Sequence, residues 1–278
     1  EIEVLVVCVA DDWFPVIEGP ERPQNSTLWK SRTGEAERLA EKACARIRSC
    51  FPASMVSSRG LFGSPAKIIL ETADWWRPDL LVVGSHGRSP VARFFLGSVS
   101  MELLHKARCS VRVTRSDRPS KEGAPIRLVV GHDGSEEADA VIRSIAARSW
   151  PDKTEAKVVS AVQTLVPAVT ALEANTFAQE PAYSLICEAD ERMRFRLENI
   201  ASESANVLRR AGLLVTSSVV DGDPREAILT AAEYLGADAI LVGARGLGRM
   251  ERLFLGSVST HVVAHAGCTV EVVRRHPV

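Results

Sequence analysis

Long apolar runs are missing from this chain of 278 residues. No stretch approaches the ~20 consecutive apolar residues of a membrane span. The composition, 46% hydrophobic and 25% charged, is that of soluble globular domains. Glu1–Ala10 is acidic and too short to read as a signal peptide. An excess of one charge is also missing: the net charge of −1 gives no bulk attraction to nucleic acid or anionic membrane, and neither is expected as a partner. The six cysteines (Cys8, Cys44, Cys50, Cys109, Cys187, Cys268) contain no C-x-x-C pair. Metal-ligand spacing is therefore absent, and a disulfide framework is not expected in a chain of this length. Cys109 and Cys268 read as small buried apolar side chains. A reduced, cytoplasmic protein is the expectation.

Familiar catalytic signatures are missing too. The P-loop pattern G-x-x-x-x-G-K-[ST] does not occur, and no G-x-G-x-x-G follows the first strand of either half. No nucleophile–base–acid set stands out, and no second carboxylate pairs with Asp133 to hold a metal. His132 reads as a turn histidine. Glu71, Asp74 and Asp79 read as solvated groups. Efficient turnover is not expected.

What is present is one glycine pattern written twice, 159 residues apart. Gly84-Ser-His-Gly87 is followed by nine residues and then Gly97-Ser98; Gly243-Ala-Arg-Gly246 is followed by nine and then Gly256-Ser257. Each copy follows an apolar run and leads into a helical segment. Glycine lets backbone approach a ligand closely, and the start of a helix offers unpaired N–H groups. Together they bind anions, phosphate above all. Ser98 and Ser257 can donate to phosphate oxygens. His86, Arg88 and Arg93 in one copy, and Arg245, Arg249 and Arg252 in the other, could add charge. A solvated face or an ion pair is the alternative role for each.

The repeat extends beyond the motif. Asp79–Arg115 set over Asp238–Arg274 gives 16 identities in 37 positions, and Gly63-Ser64-Pro65 falls on Gly222-Asp223-Pro224. A duplicated domain follows. Residues 1–117 are read as domain one, 118–125 as a linker within the polar stretch Arg115–Pro125, and 126–278 as domain two. Domain two shows the full order of elements: strands at Ile126–Val130, Ala156–Val162, Leu213–Val220, Ala239–Val242 and Thr269–Val273. Helices fall at about 135–149, Ile186–Ala211 and Asp223–Leu235, with Ser135 as an N-cap and Pro224 at the first helical position. Strands alternating with helices predict α/β architecture with two tandem doubly wound open parallel-sheet domains.

Domain one matches from the second strand onward. Glu3–Val9 corresponds to Ala156–Val162, Gly34–Cys50 to the long helix, and Pro65–Trp75 to the Pro224 helix. A counterpart of Ile126–Ser149 is missing. That strand should be central, so the expectation is that a first strand and helix precede Glu1 in the natural product. Asp11–Thr33 and Thr164–Pro181 are long connections and read as candidate lids or partner surfaces, with Trp13, Phe14 and Trp29 as loop anchors.

With both G-x2-G-x9-G-S motifs, Val129–Ser135 (VVGHDGS) and the two Gly-x-Pro turns, the chain resembles the universal stress protein family in its tandem form, over nearly its whole length. The resemblance implies an adenine-nucleotide α-hydrolase-like fold and ATP as ligand, with Mg²⁺ arriving on the nucleotide, bound mainly by its phosphates. Carried over by position, Asp133 would sit beside adenosine and Val162 would meet adenine through its main chain. Gly243 and Gly246 would line the phosphates, and Gly256, Ser257 and Val258 would bind them. Domain one offers Val9, Gly84, Gly87, Gly97, Ser98 and Val99, without the aspartate.

Three functions stay open on this reading: a nucleotide-dependent regulator or adaptor in stress response, a slow ATPase or phosphotransferase, and an interaction scaffold without nucleotide. The last strands, Ser110–Thr114 and Thr269–Val273, read as short apolar edges, although Arg112 and Glu271 are read as alternating outward, which is also how a protein protects an edge. They suggest a pseudo-dimer of the two domains, with a homodimer through edge strands and an unknown protein partner as further expectations.

Overall fold

The computed structural model describes residues 2–11, 27–85, 96–115, 123–163, 181–246 and 255–275. The chain divides into two compact units, Glu1–Pro78 and Asp79–Val278. Of the candidate lids Asp11–Thr33 and Thr164–Pro181, residues 12–26 and 164–180, with Trp13 and Phe14, lie outside the described residues, as do Gly87, His86, Arg88, Arg93, Arg249 and Arg252; residues 27–33, with Trp29, belong to a helix rather than a loop. Among the described residues no helix is long and apolar enough to cross a membrane.

Unit one contains β1 (Glu3–Ala10), α1 (Thr27–Cys50), β2 (Met55–Phe62) and α2 (Pro65–Trp76). The two strands run parallel, from Glu3 opposite Met55 to Ala10 opposite Phe62. Helix α1 buries Ala36, Ala40 and Cys44, spaced i, i+4, i+8 along one face. It lies so close to β2 that a Cβ on Gly60 would fall 2.3 Å from the Glu37 backbone nitrogen. The helix starts at Thr27 rather than at Gly34. One interior glycine costs only about 1 kcal/mol of helix propensity, too little to stop a helix of this length.

Unit two contains β3 (Leu80–Gly84), α3 (Ser98–Lys106), β4 (Ser110–Thr114), β5 (Arg127–Gly131), α4 (Glu136–Ala146), β6 (Glu155–Val162), α5 (Pro181–Arg210), β7 (Leu214–Asp221), α6 (Pro224–Leu235), β8 (Ala239–Gly243), α7 (Ser257–His265) and β9 (Thr269–Val273). Its seven strands are ordered β3-β4-β9-β8-β5-β6-β7. Every neighbouring pair is parallel except β4 with β9. Ser135 caps α4, its hydroxyl accepting from Ala138 N–H at 3.2 Å. Asp223 caps α6, accepting from Arg225 N–H at 2.8 Å, and Pro224 stands at the first helical position. The core gathers Leu128 and Val130 of β5, Val141 and Ile145 of α4, Leu208 of α5 and Leu241 of β8.

The sequence predicts one sheet per repeat; the sheets instead hold two and seven strands. In the second repeat β5 joins β6 to β8. Among the described residues no strand does this for the first repeat, so its two strand pairs fall into different sheets, and β3–β4 continues the second repeat's sheet through β9. The same sequence position then has two environments. Leu241 of β8 is 1% exposed between β9 and β5, whereas its repeat counterpart Val82, on edge strand β3, is 54% exposed.

Two thiols, Cys109 buried and Cys268 only half-buried, share repeat positions just before β4 and β9. Burial raises the Cys109 thiol and pushes Cys268 up to about 11, so both stay protonated and unreactive at neutral pH. Replacing Leu241 by Asp is expected to unfold unit two, since an unpaired carboxylate would enter the core. Val82→Asp is expected to cost no more than about 1 kcal/mol. Urea denaturation of the two variants, followed by far-UV circular dichroism, reads both.

Candidate functional site

The first turn of the site is built at the end of β5. Gly131 is buried there, where a Cβ would meet Ile228 Cδ1 at 2.6 Å and Val242 Cγ1 at 3.2 Å. His132 N–H donates to Val159 O at 2.9 Å, and Ser160 Oγ donates to His132 O at 2.7 Å, so the turn is tied to β6. Asp133 Oδ1 accepts from Ser135 N–H at 3.0 Å, and Gly134, at φ +83, swings the chain into α4. This turn presents the half-buried Asp133 carboxylate at the carboxyl end of the strand.

The His132 imidazole is buried behind that turn. Its Nδ1 accepts from Gly134 N–H at 3.2 Å, which leaves the proton on Nε2. Nε2 lies 3.3 Å from Asp139 Oδ1 but without the alignment of a hydrogen bond. Burial lowers the imidazole's pKa and outweighs the opposing pull of Asp139 and Asp133. His132 is thus a neutral strut holding the Asp133 turn.

The second wall is the glycine loop after β8. Gly243 is required by close packing, because a Cβ would lie 2.9 Å from Glu137 Cβ on the first turn of α4. A Cβ on Gly246 would lie 2.4 Å from Asp133 Oδ2, so this glycine keeps the space beside the carboxylate open. Arg245 Nη2 pairs with Glu137 Oε1 at 2.7 Å, while its buried Nε has no hydrogen-bond partner.

The loop returns to the start of α7 through Gly256 N–H, which donates to Ala244 O at 2.7 Å. Ser259 Oγ donates to Gly243 O at 2.6 Å and fastens the helix to the strand end. Among the described residues no side chain caps α7, and its first turn holds no acidic residue, so the helix start carries the partial positive charge of its leading N–H groups toward the cleft. The result is a cleft of about 440 Å³, within the range of small-molecule sites. It is lined by Asp133, Val162, Gly243, Gly246, Gly256, Ser257 and Val258, together with apolar Met193, Leu197 and Ile228.

Sequence reasoning did not name Ser259, His132 as a strut, or the apolar wall. Ser259 had a signal: Gly-Ser-Val-Ser stands at 97–100 and again at 256–259. Met193 and Leu197 belong to a long amphipathic helix whose cleft-facing residues carry no mark of their own.

The first repeat closes its loop in the same way. Gly97 N–H donates to Ser85 O at 2.9 Å and Ser100 Oγ donates to Gly84 O at 2.7 Å. Gly84, Gly97, Ser98 and Val99 belong to unit two, whereas Val9 belongs to unit one. The register also corrects one equivalence. Ala10 stands opposite Phe62, and its carbonyl accepts from Gly63 N–H at 3.0 Å. Val162 stands opposite Asp221 and accepts from Gly222 N–H at 3.0 Å. The counterpart of Val162 is therefore Ala10, not Val9. A one-residue shift along a strand exchanges its two faces, and the unequal loops after β1 and β6 hide that shift in the sequence.

The profile of the universal stress protein family matches residues 1–115 and again 126–274. The chain belongs to the universal stress protein family. A universal stress protein of Mycobacterium tuberculosis is 30% identical over 264 residues, covering 91% of this chain and 81% of that protein. One from Thermus aquaticus is 40% identical over 100 residues, covering 35% of this chain and 73% of its own. Among solved structures, a universal stress protein from Archaeoglobus fulgidus superposes with a TM-score of 0.65 at 20% identity, over 99% of this chain and 86% of that one. That likeness establishes the fold.

The neutral His132 sets a pH dependence. Its folded pKa lies below the unfolded value of about 6.5, so the unfolded chain binds more protons in that window. Stability present above about pH 6.5 is expected to fall as pH drops through the folded value. Denaturation midpoints measured between pH 7.5 and 5 should decline in the parent chain and decline less in His132→Gln.

Proposed function

We propose that this universal stress protein binds ATP in the cleft of its second repeat and acts as a cytoplasmic, nucleotide-dependent regulator. One observation carries the reading: the turns after β5, β6 and β8 and the uncapped start of α7 converge on a single cleft at the carboxyl ends of the strands. Open α/β sheets bind ligands at this switch point, where strand order reverses about β5. Backbone N–H groups of the glycine loop and of α7 would receive the phosphates, with the Ser257 hydroxyl as a further donor. Asp133 would take the ribose side, and Val162, Met193 and Leu197 would cover the base. The fit of the residues supports this, since Gly243 lets the first turn of α4 pack against the strand end and Gly246 lets the Asp133 carboxylate lie against the glycine loop at the cleft wall. Any Mg²⁺ would be held mainly by the phosphates. ATP can regulate such a protein only by binding one conformation more tightly than another.

Denaturing the purified chain and quantifying the released nucleotide by mass spectrometry tests the proposal, together with calorimetric titration of Mg-ATP. At least one ATP per chain, or saturable binding on titration, is the expected result. Gly246→Val, which fills the space beside Asp133, is expected to weaken binding at least ~10-fold, and Ser257→Ala by roughly 5- to 10-fold. No released nucleotide and no heat on titration would sink the proposal.

A further inference from the structure

The joint between the repeats places a charge where symmetry would otherwise repeat a residue. Strands β4 and β9 pair antiparallel with Val111 opposite Val272, Arg112 opposite Glu271, and Val113 opposite Val270. At the repeat offset, Val111 corresponds to Val270, Arg112 to Glu271 and Val113 to Val272. Exchanging the repeats therefore maps the ladder onto itself, about a local twofold through the Arg112–Glu271 pair. The flanking contacts echo this symmetry without repeating it atom for atom. Arg115 of the first repeat donates through Nη1 to Ala266 O at the end of α7, and Arg274, its counterpart, donates through Nη2 to Leu104 O of α3. Each repeat's arginine thus satisfies end carbonyls of the other repeat's last helix.

In the ladder itself, the axis alone carries unlike residues. Glu271 is 1% exposed, and both Arg112 Nε and Nη2 donate to its Oε2, at 2.9 and 2.6 Å. Arg148, just past α4, adds a bond to the same oxygen at 3.0 Å and a second to Oε1. Residues on a twofold face their own counterparts. If β9 paired in this register with β9 of another copy, Glu271 would face Glu271; if β4 paired with β4, Arg112 would face Arg112. Like charges held in a buried ladder strongly disfavour such pairing. The valines on either side fit all three pairings equally, because Val111, Val113, Val270 and Val272 are the same residue.

We propose that the Arg112–Glu271 pair, completed by Arg148, is a pairing code that directs the last strand of repeat one to the last strand of repeat two and rejects self-pairing between copies. Apolar edge strands otherwise invite association with any similar edge, and an oppositely charged pair at one buried position is an economical way to choose among them. The partner this surface fits is a strand carrying a cation opposite Glu271, which the same chain provides.

Three full-length variants test the proposal by amide hydrogen exchange and sedimentation velocity. Arg112→Glu sets two carboxylates on the axis; amides 111–113 and 270–272 are expected to lose at least ~10-fold of their protection. Inverting all three charges (Arg112→Glu, Glu271→Arg, Arg148→Glu) is expected to restore that protection to within roughly threefold of the parent. The neutral set (Arg112→Val, Glu271→Val, Arg148→Met) is expected to fold and keep the ladder. Having lost the code, it should sediment as larger species whose fraction grows with concentration relative to the parent. Retained protection in Arg112→Glu would overturn the proposal. So would failure of the inverted set to recover while the neutral set folds, or a neutral set that sediments as the parent does at every concentration.

Discussion

The pairing of β5 with strands on both of its sides is the constraint on which the rest of unit two depends. With β6 on one edge and β8 on the other, β5 is saturated with ladder hydrogen bonds, and its side chains are buried on both faces. It is also the strand about which chain order reverses, so the connections leaving its carboxyl end and those of its neighbours diverge and leave a crevice. Gly131, His132 and Asp133 occupy that end. Their hydrogen bonds to Val159, Ser160 and Ser135 fix the turn before any ligand arrives. A site assembled this way needs little reorganisation on binding.

The electrostatics of the cleft have the same character. Arg245, the described cation of the glycine loop, is already paired with Glu137. Under the proposed reading, what the described part of the loop offers an anion is its backbone N–H groups and the dipole of α7. Backbone donors cannot be rotated away. Packing accounts for the demand for glycine at 243 and 246: in one case Glu137 of α4 packs against the strand end, in the other Asp133 needs room.

Much of this was legible in the sequence because it is coded locally. The Ser135 and Asp223 caps, Pro224 at the first helical position and the period of the strands all follow from neighbours along the chain, and the elements of the second repeat fall within a residue or a few of where they are read. The glycine spacing located the cleft. What was not legible depends on tertiary context. His132 reads as an ordinary turn residue until the burial of its ring and the bond from Gly134 are known. Ala10 cannot be told from Val9 without the ladder to β2. The division into two- and seven-stranded sheets, by contrast, matches two signs that are legible, the missing counterpart of Ile126–Ser149 and the pairing expected of the two last strands.

The two glycine loops separate these levels within one molecule. Both close through the same pair of bonds, from a helix-start glycine to the carbonyl one residue beyond the strand and from a serine to the last carbonyl of the strand. The loop therefore closes in the same way in both repeats, although among the described residues only the second has a strand on the far side of its glycine strand. It does not build a binding site alone. In the second repeat β5 brings Asp133 against Gly246 and buries Gly243, whereas Gly84 of the first repeat is exposed on an edge strand. A glycine loop with the same closing bonds can thus be complete as local structure and still differ in what surrounds it. A count of motifs measures how often the loop forms; the neighbour of the strand decides whether a ligand finds the rest of its pocket there.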